Sequence, residues 1–131
     1  LSSIVTDKMK RMYDSSPDVE TGGCLFGSYD RDYNVIYVYY MVEAPKDSIH
    51  TPVSFVRGFG GLTDEYERIT KLTYHQVRYL GEWHSHPNMP NRPSATDDKQ
   101  FKEMSAEQQS QDLPFVQIIY GKNGLYVRSM M

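Results

Sequence analysis

The stretch His84-Ser-His-Pro-Asn-Met-Pro-Asn-Arg-Pro-Ser-Ala-Thr-Asp97 constrains the fold more than any other part of this chain. Gly81, with the apolar Leu80 and Trp83, leads into it, so Leu80 to His86 reads as a short strand entering the interior. Side chains alternate faces along a strand. His84 and His86 therefore share one face, roughly 6.6 Å apart at the α-carbon for a rise of ~3.3 Å per residue. Pro87, Pro90 and Pro93, with Asn88 and Asn91, remove backbone donors and favour turns, so the chain has to double back. Ser94-Ala-Thr-Asp97 then has the form of a helix start with Ser94 as N-cap. Asp97 shares a helix stripe with Phe101 and Met104, whereas Asp98 lies about 100° round the axis and faces solvent. Two imidazoles and one inward carboxylate leave a fourth tetrahedral position for water, the composition of a hydrolytic zinc site and not of a closed structural one.

Each fragment also has a plainer reading. Ser94 and Asp97 form a capping box in many helices, and a lone H-x-H on a strand is more often structural than metal-binding. Together they make H-[ST]-H-P, six residues, then S-x-x-D without a gap. That pattern resembles the JAMM motif of the JAB1/MPN metallopeptidase family, which also requires an upstream glutamate followed by paired glycines and an apolar strand. Glu20 in Glu20-Thr-Gly-Gly-Cys-Leu-Phe-Gly27 fits that second requirement.

Composition narrows the alternatives. At 131 residues, the chain fits one compact domain, 1–131. A formal charge of -3 gives no basic footprint for nucleic acid, and no run of lysine or arginine suggests a membrane surface. No apolar run approaches the ~20 residues of a membrane span, and the opening residues show no basic-then-apolar leader. The chain begins at Leu1 without methionine, as a piece of a longer protein would. The single cysteine, Cys24, excludes an internal disulfide and sits within an apolar strand pattern. A buried structural thiol in a reducing, cytoplasmic setting is the expectation.

Along the chain, Ile4, Val5, Met9, Met12 and Tyr13 mark one face of a helix over residues 3–14. Cys24 to Tyr29 reads as a strand, Asp30 to Asn34 as a turn, and Val35 to Val42 as a long central strand, apolar or aromatic on both faces, antiparallel to its predecessor. Ala44 to Gly61 is long for a connection, with Ser54 to Gly58 its most ordered part, which suggests a lid or binding loop. His50 within it reads as an exposed loop histidine. Thr63-Asp-Glu opens a second helix with Tyr66, Ile69, Thr73, Val77 and Leu80 as its packing face, and His75 near that face's edge reads as structural or solvent-exposed. A third helix over 95–109 packs on one side through Phe101 and Met104, and Gly121-Lys-Asn-Gly124 joins a terminal hairpin. The expected class is α+β, a mostly antiparallel sheet packed by helices, which the resemblance makes the JAB1/MPN fold with cytidine-deaminase-like architecture.

The resemblance implies that His84, His86 and Asp97 bind Zn2+, that Glu20 is general acid and base, and that Ser94 helps stabilise the oxyanion. It implies a hydrolase for amide bonds after the C-terminus of a ubiquitin-like or C-terminally conjugated protein. The words Phe55-Val-Arg-Gly58 and Gly81-Glu-Trp-His-Ser-His-Pro87 are similar to compact bacterial JAB proteins found with E1-like and E2-like enzymes in antiphage systems. There the substrate is a CD-NTase conjugated through its extended C-terminal tail. Two other functions compete: processing of a sulfur-carrier or ubiquitin-like precursor, and a non-catalytic MPN interaction module. A second carboxylate competes with Glu20, because Glu82 alternates with His84 and His86 on one strand face, some 7 Å from His84 at the α-carbon. Its plainer reading is a strand-end carboxylate in solvent or in a salt bridge.

Overall fold

The computed structural model describes residues 1–74 and 76–131; the expectation for His75 lies outside them. Helix α1 (Ser3–Ser15) starts where the Ser2 hydroxyl accepts from the Val5 amide, and the chain leaves it at Ser16-Pro17. Strands β1 (Gly22–Asp30) and β2 (Val35–Glu43) form the first hairpin. The long connection that follows holds two short strands, β3 (Ile49–His50) and β4 (Phe55–Val56), paired as a small hairpin. Helix α2 (Leu62–Leu72), β5 (Arg78–Ser85), α3 (Ala95–Ser110), β6 (Phe115–Gly121) and β7 (Gly124–Met130) complete the order.

The main sheet runs β2-β1-β5-β6-β7, antiparallel except for the parallel pair β5 and β6. A parallel pair needs a crossover, and here the crossover is the proline-rich turn plus α3, so the run that follows the histidines is carried back over the sheet. On one face α1 buries Val5 and Met9 against Leu25, Val38, Met41, Trp83, Val116 and Ile118. On the other, α2 packs Ile69 with Val77 against Cys24 and Phe26, and α3 brings Phe101 to within 5.8 Å of Phe115, centroid to centroid. Alternation along β5 therefore turns Trp83 towards α1 and turns Glu82 and His84 towards the side of α2 and α3. Close strand approach fixes Gly81, since a Cβ there would stand 1.9 Å from the Val116 carbonyl oxygen.

Several expectations are corrected. Strand β2 is an edge strand, not a central one, and its Tyr37, Tyr39 and Tyr40 are exposed. A bulge opposite Phe26/Gly27 leaves Tyr39 unmatched. It flips the alternation, so Val38 and Met41, three apart, both reach the α1 core. Ile4 is 76% exposed, outside the α1 packing face. Helix α2 stops at Leu72, before Tyr74 takes a φ of 51°, so Val77 and Leu80 pack from the connection and from β5 instead of from the helix. On α3, Phe101 and Met104 are only half-buried, and the stripe's buried members are the polar Asp97, Ser105 and Gln108.

Candidate active site

Strand β1 and strand β5 are antiparallel neighbours with Gly22 opposite His84, so Glu20, two residues before Gly22, emerges opposite His86 at the same sheet end. The register continues past the ladder: Thr21 and Ser85 exchange bonds, Thr21 N–H to Ser85 Oγ at 2.9 Å and Ser85 N–H to the Thr21 carbonyl at 2.8 Å. The serine between the two histidines thus ties the Glu20 segment to the histidine strand. A Cβ on Gly22 would stand 2.2 Å from the Trp83 carbonyl oxygen and 2.8 Å from the Phe55 ring. The first glycine after Glu20-Thr is required by that double approach.

Asp97 arrives from the other side of the cleft. The turn through 87–93 is pinned by Asn91 N–H to Asn123 Oδ1 and by Lys122 N–H to the Met89 carbonyl, at 3.0 and 2.8 Å. Ser94 then caps α3 in a full capping box: Ser94 Oγ accepts from the Asp97 amide at 3.1 Å, and Asp97 Oδ2 accepts from the Ser94 amide at 2.9 Å. The box does not exclude the other role, since the same carboxylate lies 3.1 Å from His84 Nε2 and 3.2 Å from His86 Nε2. The buried Gln117 amide donates to the Asp97 carbonyl at 3.3 Å and steadies the turn that carries it.

Electrostatics follow from these contacts. Burial alone would raise the Asp97 carboxyl, but His84, His86 and the Ser94 amide outweigh it and hold Asp97 well below the usual carboxylate range. The Asp97 bond holds His86 above its ordinary value against the pull of burial. Glu20, 7% exposed, is raised by burial, with His84 and His86 pulling the other way. His86 Nδ1 lies 3.0 Å from the Pro90 carbonyl, which can only accept, so Nδ1 carries the proton and Nε2 is the nitrogen turned inward.

His84 Nε2 is fully buried and has no hydrogen-bond partner among the described residues, because Asp97 Oδ1 is near it in distance but off its bonding direction. A nitrogen left so is expensive unless something else takes its lone pair. Ligand atoms on a tetrahedral metal with bonds of about 2.0–2.1 Å stand roughly 3.3–3.4 Å apart. The two His–Asp separations, 3.1 and 3.2 Å, are close to that edge. Glu20, His84 and His86 also place one ligand atom each within 4.8 Å of one another. The donor set fits a divalent cation.

Glu20, His86 and Ser94 open onto a cleft of about 950 Å³ whose walls also include Met89, Pro52 and Val53. The tip of the β3–β4 hairpin therefore reaches the site, as the length of Ala44 to Gly61 suggests. Arg57 does not. Its guanidinium pairs with Glu82, Nε to Oε1 at 2.6 Å, with both side chains largely buried. Glu82 also accepts from the Tyr79 hydroxyl and from the Cys24 thiol, so it is a carboxylate in a salt bridge but not in solvent. Burial pushes the Glu82 carboxyl up while Arg57 and Tyr79 pull it back, and burial with Glu82 alongside raises the Cys24 thiol. Cys24 is a buried structural thiol, as expected. Asp98 points outward and pairs with Arg128 at 2.8 Å.

Two contacts were invisible in the sequence. The His50 ring, exposed as expected, lies with Nδ1 2.8 Å from the Glu20 carbonyl, and the Glu20 amide donates to the Thr51 carbonyl at 2.8 Å. No local pattern could have announced either.

The family model described as prokaryotic homologs of the JAB domain matches residues 3–130. A CD-NTase/cGAS isopeptidase of Enterobacter hormaechei is 34% identical over 102 residues, 78% of this chain and 55% of that protein. A probable metalloprotease of Sinorhizobium fredii is 35% identical over 81 residues, 61% of this chain and 49% of the relative. A second CD-NTase/cGAS isopeptidase, from Pseudomonas aeruginosa, is 28% identical over 121 residues, 86% of this chain and 70% of its own length. The chain thus spans about half the length of the first two. A model that matches nearly every residue, over a fold of this α+β order, is decisive: the chain belongs to the prokaryotic homologs of the JAB domain.

Proposed function

We propose that residues 1–131 are one catalytic domain, a zinc-dependent isopeptidase that cleaves the amide bond after the C-terminus of a ubiquitin-like or C-terminally conjugated protein, with a CD-NTase conjugate as the substrate. The observation that carries the reading is the convergence of His84, His86 and Asp97 beside the buried carboxylate of Glu20, at the rim of an open cleft. The names of two relatives, CD-NTase/cGAS isopeptidase, support the substrate class. His84, His86 and Asp97 would hold the zinc through two nitrogens and an oxygen, donors that zinc accepts. When bound, zinc supplies a Lewis acid that acidifies water and polarises the scissile carbonyl.

The chain's own residues do the rest. Glu20 takes a proton from the attacking water and delivers it to the leaving amine, which needs a carboxyl able to hold a proton in a dry setting. His86 Nδ1 donates to the Pro90 carbonyl, which leaves Nε2, the nitrogen beside Asp97, as the one that can give its lone pair to a cation. Ser94 Oγ already accepts the Asp97 amide, which leaves its hydroxyl hydrogen to donate into the cleft towards the oxyanion. Pro52 and Val53 line the cleft opposite, where an extended substrate tail would lie. A conjugate has to be made before it is cut, so E1-like and E2-like conjugating enzymes are the partners this reading calls for. The proposed location is cytoplasmic; among the described residues, no helix is long and apolar enough to cross a membrane.

Elemental analysis of the purified protein should show one zinc per chain, and a CD-NTase carboxy-terminal peptide carrying an aminocoumarin amide should be cut only by the zinc-loaded form. Full activity after exhaustive chelation would defeat the proposal. Ser94→Ala has two separable expected effects. Loss of the cap lowers stability by about 1 kcal/mol in urea unfolding. Loss of the donor lowers turnover roughly 100-fold with zinc retained. A variant that shows only the first effect leaves Ser94 as a cap alone.

A further inference from the structure

Glu20 stands two residues before the first ladder residue Gly22, just beyond the Thr21 bonds to Ser85 that are the last tie of this segment to β5. Its neighbour on that side is the β3–β4 hairpin. The Glu20 amide donates to the Thr51 carbonyl and the Glu20 carbonyl accepts from His50 Nδ1, both at 2.8 Å. One peptide unit at each side of the Glu20 α-carbon is thus held by the hairpin, which leaves the side chain as the part still able to turn. The imidazole is itself seated: its ring centroid lies 5.2 Å from that of Phe55, and Phe55 packs over the Cβ-less Gly22. The hairpin closes on itself through Thr51 N–H to the Ser54 carbonyl at 2.9 Å, and Thr51 Oγ1 meets Ser54 Oγ at 2.6 Å.

We infer that His50 is a positioning residue: its Nδ1–H holds the Glu20 carbonyl so that the Glu20 carboxylate faces His84 and His86, and the β3–β4 hairpin is the clamp that sets the proton carrier. The inference rests on the reading of Glu20 given under Proposed function. A group that moves a proton between water and amine has to lie within hydrogen-bond reach of both, and a displacement of an ångström costs far more in rate than in binding. His50 is exposed and outside the metal-ligand set, so its replacement separates positioning from metal loading. Asparagine is the informative substitute, because its side-chain NH2 reaches the place of the ring Nδ1 while its bulk on Phe55 is lost.

The test uses the zinc-loaded full chain, the aminocoumarin amide of a CD-NTase carboxy-terminal peptide, and amide hydrogen exchange at Glu20. His50→Ala should lower kcat about 10-fold with KM within about twofold and zinc unchanged, the scale of one lost positioning hydrogen bond. Exchange of the Glu20 amide proton should speed up by a similar factor, because the Thr51 bond loosens with the clamp. His50→Asn should recover both readouts. An unchanged exchange rate in His50→Ala overturns the clamp whatever the substrate proves to be. A rise in KM alone makes His50 a substrate contact and overturns it too, as does an Asn variant as impaired as Ala. Glu20→Gln run in parallel separates the two ideas: if it stays active, Glu20 is not the proton carrier, while the exchange data still decide the clamp.

Discussion

Glu20→Gln should load zinc and bind a substrate tail normally while hydrolysis falls at least about 100-fold. Glutamine keeps the shape and one acceptor oxygen of glutamate, so the backbone bonds to His50 and Thr51 are left in place. What it cannot do is take a proton. Burial already holds the Glu20 carboxyl above its ordinary value, so the side chain stands in a setting that favours carrying one. The control is Glu82→Gln, since Glu82 lies on the same face of β5 as His84 and is the carboxylate that strand alternation alone would nominate. Glu82 is committed elsewhere, to Arg57, Tyr79 and Cys24, and its replacement should spare turnover in whatever fraction stays folded. Single-turnover rates normalised to zinc content measure both variants. A dead Glu82→Gln beside an active Glu20→Gln would reverse the assignment.

The pieces of the site that the sequence reveals are those whose physics is local. An H-x-H on a strand shares a face by alternation, prolines enforce the return, and Ser94 followed by Asp97 starts a helix with its carboxylate inward; each follows from a few consecutive residues. Glu20 is different. Nothing near it says that it will face the histidines, and the contacts that bring it there, Thr21 to Ser85 and His50 to Glu20, join residues far apart in the chain. Only the resemblance selects it from the sequence. The same limit explains β2: its composition is that of a central strand, but a bulge at Tyr39 and an edge position are properties of pairing and leave no mark on the strand itself. Ser54 to Gly58 reads in the sequence as part of a lid or binding loop, yet Arg57 turns inward, because the buried partner that decides its direction is on β5.

Arg57→Ala should destabilise the domain by about 3–5 kcal/mol, the cost of leaving one member of a buried ion pair without the other. Glu82 is 5% exposed, and its Oε1 takes the Arg57 Nε at 2.6 Å. Without the guanidinium, the Tyr79 hydroxyl and Cys24 thiol remain as donors, and neither carries a charge to offset a carboxylate taken from water. The sign with pH follows from Glu82, whose carboxyl burial raises above 4.5 and Arg57 lowers again. A carboxyl raised in the folded state contributes stability below its unfolded value and loses it as pH rises through the folded one. Removing Arg57 raises it further, so the deficit of Arg57→Ala should be small near pH 4, grow as pH rises through the folded value, and level off above it. Urea unfolding at a series of pH values measures this. Arg57→Met combined with Glu82→Gln should recover most of the loss, since it removes both charges and keeps the volume. The guanidinium also packs on Phe59 at 5.0 Å and bonds the Gly58 carbonyl, so the same pair ties the long connection to the strand that carries the histidines. A single variant that costs less than about 0.5 kcal/mol at neutral pH would mean that the pair is screened by water and does not anchor that connection.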